Sequence, residues 1–133
     1  MSTEKSLSEI LVKDIMTKAL ISVEPGTTVF QVAKMMEQGG IGAVLVKKDG
    51  TTSGIITDRD FAIKIATQKL PLETPVDKVT SYPLQTINSN ESILAAADLM
   101  SSKKIRKLAV VEDSKVIGII TSTDLVNQLA KKK

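Results

Sequence analysis

Histidine and cysteine are both absent from the 133 residues. Disulfides, thiolate nucleophiles, imidazole bases and the usual zinc ligands are thereby excluded, which leaves carboxylates, lysines and one tyrosine for any chemistry. Tryptophan is missing too, and aromatic residues make up only 2% of the chain. A core must then be built from Ile, Val, Leu, Ala and Met, and the stacking platforms that single-stranded nucleic acids require are scarce. No apolar run approaches the roughly 20 residues that span a bilayer, and residues 1–10 are polar, without the apolar stretch of a signal peptide. The expected location is the cytoplasm, with no membrane contact.

The formal net charge of +3 comes from Lys131, Lys132 and Lys133. Without them the body holds as many basic as acidic residues, so the tail reads as a solvated terminus rather than an arm for nucleic acid. The length allows one compact module and no second independent core.

What the chain does have is an internal repeat. Residues 12–66 superpose on 76–130 without a gap, at a constant offset of 64. Gly54-Ile55-Ile56-Thr57 matches Gly118-Ile119-Ile120-Thr121, and Leu20, Ala33, Met36, Ile41, Val46, Asp49 and Asp60 recur as Leu84, Ala97, Met100, Ile105, Val110, Asp113 and Asp124. Between the copies, residues 67–75 contain Pro71 and Pro75 and read as a short connector.

Within each copy the apolar period changes in a fixed order. Val29, Val32, Ala33 and Met36, like Ile93, Ala96, Ala97 and Met100, follow helical spacing. Thr28 and Gln31 form a capping box before the first of these helices, and Gly39-Gly40 supplies its left-handed stop. An apolar run follows (43–46 or 108–111), then a turn at Asp49-Gly50 or Asp113-Ser114, then a second run (53–57 or 116–121), which is a hairpin. A short strand at 20–23 or 84–87 precedes the helix, and a second helix is expected over 58–66 and 122–130. The expected fold is therefore α/β with mixed sheets: a tandem pair of βαββα units packed sheet to sheet with pseudo-two-fold symmetry, since one such unit buries too little surface alone. Met35 and Leu99 beside the main stripes, and Phe61, Ala62 and Ile65 matched by Leu125, Val126 and Leu129, widen the apolar faces and point to a homodimer.

The chain resembles the CBS domain pair, or Bateman module, as a stand-alone two-repeat protein. The resemblance rests on Asp14-Ile15-Met16-Thr17, Ile41-Gly42-Ala43-Val44-Leu45-Val46 and Gly54-Ile55-Ile56-Thr57-Asp58-Arg59-Asp60. In the second copy Val79-Thr80-Ser81, residues 105–111 and residues 118–124 occupy the same places. It implies a regulatory, ligand-sensing module that binds AMP, ADP, ATP or S-adenosylmethionine in two clefts between the repeats, with no catalytic residue, cofactor or metal. It also implies that each cleft takes its early-strand and middle residues from one copy and its T-x-x-D from the other.

On that pairing, Thr80, Gln85, Arg106 and Lys107 would join Ile55, Thr57, Arg59 and Asp60 in a basic, phosphate-binding cleft. Met16, Ile21, Gly42 and Ala43 would join Ile119, Thr121 and Asp124 in a weaker one. The contrast arises because Lys103, Lys104, Arg106 and Lys107 replace Gly39, Gly40, Gly42 and Ala43, and Arg59 replaces Thr123. Physically, a T-x-x-D where a strand enters a helix gathers hydroxyl, carboxylate and free amides, a combination suited to ribose and phosphate. The same pattern also serves as an ordinary capping box. Ile55 with Val44, or Ile119 with Leu108, are candidate adenine walls, although branched aliphatics at such positions more often belong to the core.

Two further readings stay open at this level. One is a ligand-free scaffold that dimerises and docks a regulated partner protein. The other is a nucleic-acid binder using residues 103–107, which the balanced charge and lack of aromatics disfavour. Acid–base roles for Asp58, Asp60 and Lys64 compete with their ordinary place at a helix start.

Overall fold

The computed structural model describes residues 6–18 and 20–131. Residues 1–5, Ala19 and the last two lysines of the expected solvated tail lie outside the described residues. Chain order is α1 (Val12–Ile15), β1 (Ser22–Val23), α2 (Val29–Gly39), β2 (Ala43–Lys48), β3 (Thr51–Thr57) and α3 (Asp58–Asp60), which continues as a π-helix over Phe61–Ala66. Then come β4 (Thr86–Asn88), α4 (Ile93–Lys103), β5 (Lys107–Glu112), β6 (Lys115–Thr121) and α5 (Ser122–Ala130). The expected β-α-β-β-α order and the mixed-sheet α/β class are both present; β1 and β4 are shorter than the sequence reading, and α1 was not foreseen.

Two compact units result, and their boundaries cut across the sequence repeats. A continuous unit comprises Ile21–Leu84, and a split unit comprises Met1–Leu20 with Gln85–Lys133. Each holds one three-stranded sheet. In the continuous unit β1 runs parallel to β2, and β3 antiparallel to it. β4, β5 and β6 repeat this arrangement in the split unit.

Local signals account for these elements. Thr28 Oγ1 accepts the Gln31 amide at 3.1 Å while Gln31 Oε1 accepts the Thr28 amide at 2.9 Å, so both donors at the start of α2 are satisfied by the capping box. Gly40 ends α2 with φ of 62°, the left-handed stop expected there. Both hairpins turn through two residues of positive φ, Asp49 and Gly50 in one and Asp113 and Ser114 in the other, the conformation that matches strand twist.

Strand periodicity then sorts the side chains. Val44, Val46 and Ile56 join Val29 and Val32 of α2 in the core of the continuous unit. Leu108, Val110 and Ile120 join Ile93, Ala96 and Met100 of α4 in the other. Ala43, Leu45, Ile55 and Thr57, and likewise Lys107, Ala109, Ile119 and Thr121, alternate onto the opposite sheet face.

Each core is completed by the segment that leads the other repeat. Val12 belongs to the core of the split unit, and Val76 and Val79 to that of the continuous unit. The docking is duplicated bond for bond. Val12 donates its amide to the Glu91 carbonyl at 2.8 Å and Lys13 to Ser89 at 3.1 Å; Val76 donates to Thr27 at 2.7 Å and Asp77 to Pro25 at 3.2 Å. Further along, Ser81 pairs with Ile55 of β3 and Thr17 with Ile119 of β6 as isolated bridges.

One sequence equivalence fails. Ile65 is buried, yet its counterpart Leu129 is 55% exposed. Residues 61–66 form a π-helix, with more residues per turn than the α-helix over the matching residues of α5. Four residues therefore no longer return a side chain to the face they reach in α5.

Gly54 and Gly118 are where the docked segments come closest. A Cβ on Gly54 would lie 2.5 Å from Thr80 Cγ2 and 2.9 Å from the Ser81 carbonyl; on Gly118 it would lie 2.5 Å from Met16 Sδ and 2.9 Å from the Thr17 carbonyl. Gly54→Ala and Gly118→Ala should each lose about 1–3 kcal/mol through forced displacement of backbone. Gly26→Ala, with nothing within 4 Å of its Cβ, should be near neutral in the same urea denaturation series.

Candidate functional site

Each unit contains one strand-to-helix junction with the T-x-x-D pattern. In the continuous unit the Thr57 amide and hydroxyl both donate to Asp60 Oδ2, at 2.8 and 3.2 Å. In the split unit the Thr121 amide and hydroxyl donate to Asp124 Oδ2 at 2.8 and 3.1 Å. The sequence forms these junctions because threonine closes the strand and its aspartate sits in the first helical turn, where the dipole favours negative charge.

The residues before the middle strands flank these junctions. The Gly42 carbonyl accepts the Asp58 amide at 3.0 Å, and the Arg106 carbonyl accepts the Ser122 amide at 2.9 Å. Ala43 is the register partner of Thr57, and Lys107 of Thr121. Ile21 and Gln85 each receive an amide from the middle strand, Leu45 to Ile21 at 2.9 Å and Ala109 to Gln85 at 3.0 Å. Within each unit the backbone thus gathers the same five functions: early strand, middle strand, branched apolar residue, threonine and aspartate.

Sorted by unit, the basic set draws Ile55, Thr57, Arg59, Asp60 and Thr80 from the continuous unit, and Gln85, Arg106 and Lys107 from the split unit. The second set draws Met16, Ile119, Thr121 and Asp124 from the split unit, and Ile21, Gly42 and Ala43 from the continuous unit. Arg59 and Arg106 are exposed on their units.

One expected role needs correction. Val44 and Leu108 are fully buried members of the helix-side cores, so they cannot wall an adenine site. Period two puts them on the face opposite Ile55 and Ile119, whose register partners are Leu45 and Ala109. Thr80 is also buried, and its hydroxyl donates to the Val76 carbonyl at 2.7 Å. This bond lies within the docked segment.

Sequence reasoning weighed Lys64 only as an acid–base group or a helix-start residue and missed its contacts. Its ammonium lies 3.2 Å from Asp60 Oδ1, 3.0 Å from the Val79 carbonyl and 3.2 Å from Ser81 Oγ, tying the π-helix to the docked segment. The available signal was its replacement by Gln128 in the second copy. A second unforeseen contact is Tyr82, whose phenol donates to Asp77 Oδ1 at 2.7 Å.

Comparison with known proteins follows the repeat. The model of the CBS domain matches residues 12–67 and again 76–131. The chain is 37% identical over 122 residues to the CBS domain-containing protein YhcV of Bacillus subtilis, covering 91% of this chain and 87% of that one. It is 33% identical over 123 residues to MK0525 of Methanopyrus kandleri, covering 90% of this chain but 63% of the relative. Among solved structures, the CBS domain pair of MJ0100, in complex with 5′-methylthioadenosine and S-adenosylmethionine, superposes with a TM-score of 0.83 at 29% identity, covering 92% of this chain and 98% of that one.

Tyr82 offers a direct spectroscopic test of the docked segment. Partial burial, then the hydrogen bond and charge of Asp77, raise its pKa above the ordinary phenol value. Because the folded value is the higher one, the contribution to stability is full below about pH 10 and is lost as pH rises through the folded pKa. As the only tyrosine, in a chain without tryptophan, it can be titrated by absorbance near the phenolate band. The midpoint should lie above about 10 in the folded chain, fall to about 10 in urea, and move down in Asp77→Asn.

Proposed function

Because the chain belongs to the CBS-domain family, we propose that it is a regulatory module that binds an adenosine-containing small molecule (AMP, ADP, ATP or S-adenosylmethionine), in the cytoplasm and without acting on it chemically. The observation that carries this reading is the duplicated junction, in which the amide and hydroxyl of Thr57 and of Thr121 both donate to Oδ2 of the aspartate three residues on, at a helix start. A carboxylate there can accept from a ribose diol, each charge-assisted bond contributing about 1.5–3 kcal/mol. Arg59, Arg106 and Lys107 are the candidates for a phosphate chain, which makes the ligand set around Asp60 the stronger of the two for polyphosphates. The ligands named for MJ0100 support the choice of adenosine. Regulation follows if the ligand binds two states of the module with unequal affinity.

Self-association is the second part of the proposal. Leu94, Val126 and Leu129 are 46%, 61% and 55% exposed on α4 and α5 of the split unit. Neighbouring helices with this much exposed apolar surface favour burial against a second copy of the chain.

Isothermal titration with AMP, ADP, ATP, S-adenosylmethionine and NADH tests the ligand. At least one adenosine compound should bind, and Arg59→Ala and Arg106→Ala should each weaken ATP about tenfold, the worth of one lost charge-assisted bond. No binding at millimolar concentration overturns the reading. Light scattering after size exclusion tests the assembly: a dimer is expected at micromolar concentration, and Val126→Glu should shift it to monomer.

A further inference from the structure

The Lys64 ammonium makes two hydrogen bonds and one ion pair within the continuous unit, while its side chain stays 37% exposed. It reaches the Val79 carbonyl, Ser81 Oγ and Asp60 Oδ1 at 3.0, 3.2 and 3.2 Å. The other oxygen of Asp60 accepts from the Thr57 amide and hydroxyl. Both oxygens of this carboxylate are therefore engaged, and its side chain is 11% exposed. In the split unit, Asp124 Oδ2 accepts the same two threonine donors. The position of Lys64 is taken there by Gln128. Among the described residues no side chain holds Asp124 Oδ1, and none of the buried side-chain oxygens is unsatisfied, so this acceptor faces solvent.

We infer that Lys64 is a specificity-determining residue that makes the two carboxylates read a ribose differently. At Asp60 the lysine competes for the oxygen a second ribose hydroxyl would need, so this junction is nearly blind to the 2′-hydroxyl. At Asp124 the free oxygen can accept that hydroxyl, and a ligand lacking it leaves a desolvated carboxylate oxygen unpaired. The inference rests on the adenosine reading above and adds which sugar feature each junction detects.

The test compares AMP with 2′-deoxyadenosine 5′-monophosphate by isothermal titration, one junction at a time. In an Asp124→Asn background, Lys64→Gln should raise the preference for AMP about tenfold, the value of one restored charge-assisted bond. In an Asp60→Asn background, Gln128→Lys should lower that preference about tenfold. The second variant removes no contact of the docked segment, so it reports even where Lys64→Gln unfolds the continuous unit, an event the Tyr82 titration would reveal. Unchanged preferences with AMP still bound overturn the role of Lys64 and leave the adenosine reading standing. Absence of AMP binding to the wild-type chain also overturns the inference, while the other four ligands decide the adenosine reading separately.

Discussion

The approach of a foreign backbone to the middle of β3 and β6 constrains the rest of the molecule. Only a residue without Cβ lets the Ser81 carbonyl lie against position 54 or the Thr17 carbonyl against position 118. Once that contact is made, the segment preceding it is drawn across the unit, and Val12 or Val76 drops into the core fully buried. Each such valine contributes about 1.5–3 kcal/mol of burial. Since the leading segment of each repeat completes the core of the other, neither sequence repeat carries a whole core. The unit of duplication and the unit of packing are different stretches of chain.

The same constraint positions the candidate site. The bridge at Ile55 or Ile119 lies two residues before the threonine that ends the strand, so a docked segment and a helix start are held within one short stretch of backbone. There Thr57 and Thr121 both donate to Oδ2 of their aspartates; the copies differ in that Thr121 Oγ1 also accepts the Asp124 amide, and in what meets Oδ1. A lysine side chain that also ties down Val79 and Ser81 links Asp60 to the docking of its segment. A ligand that displaced Lys64 from Asp60 would remove one of its three contacts, a local route from binding to packing.

Much of this was legible before any coordinates. Thr28, Gln31 and Gly40 declared the limits of α2 because caps are local hydrogen-bond chemistry, and Asp49-Gly50 declared a hairpin because few residues tolerate positive φ. Thr57, Asp60, Thr121 and Asp124 were found because their spacing is itself the geometry. Errors arose where a side chain had more than one possible destination. Val44 and Leu108 looked like ligand walls until the register put them on the helix side. Ile65 and Leu129 matched by offset but parted in exposure, because hydrogen-bond period in the second helix differs between copies.

The sequence by itself determined the repeat, the order of elements, the lack of thiol and imidazole chemistry, and the pair of threonine–aspartate junctions. All of these depend on composition or on residues within a few positions of one another. Which segment completes which core, which sheet face each branched residue takes, and the pairing of Lys64 with Asp60, Val79 and Ser81 were decided only by tertiary structure. Those outcomes rest on contacts between residues as many as 102 positions apart, as between Thr17 and Ile119, where the free energy of a whole packed unit selects one partner among several that local propensity leaves equal.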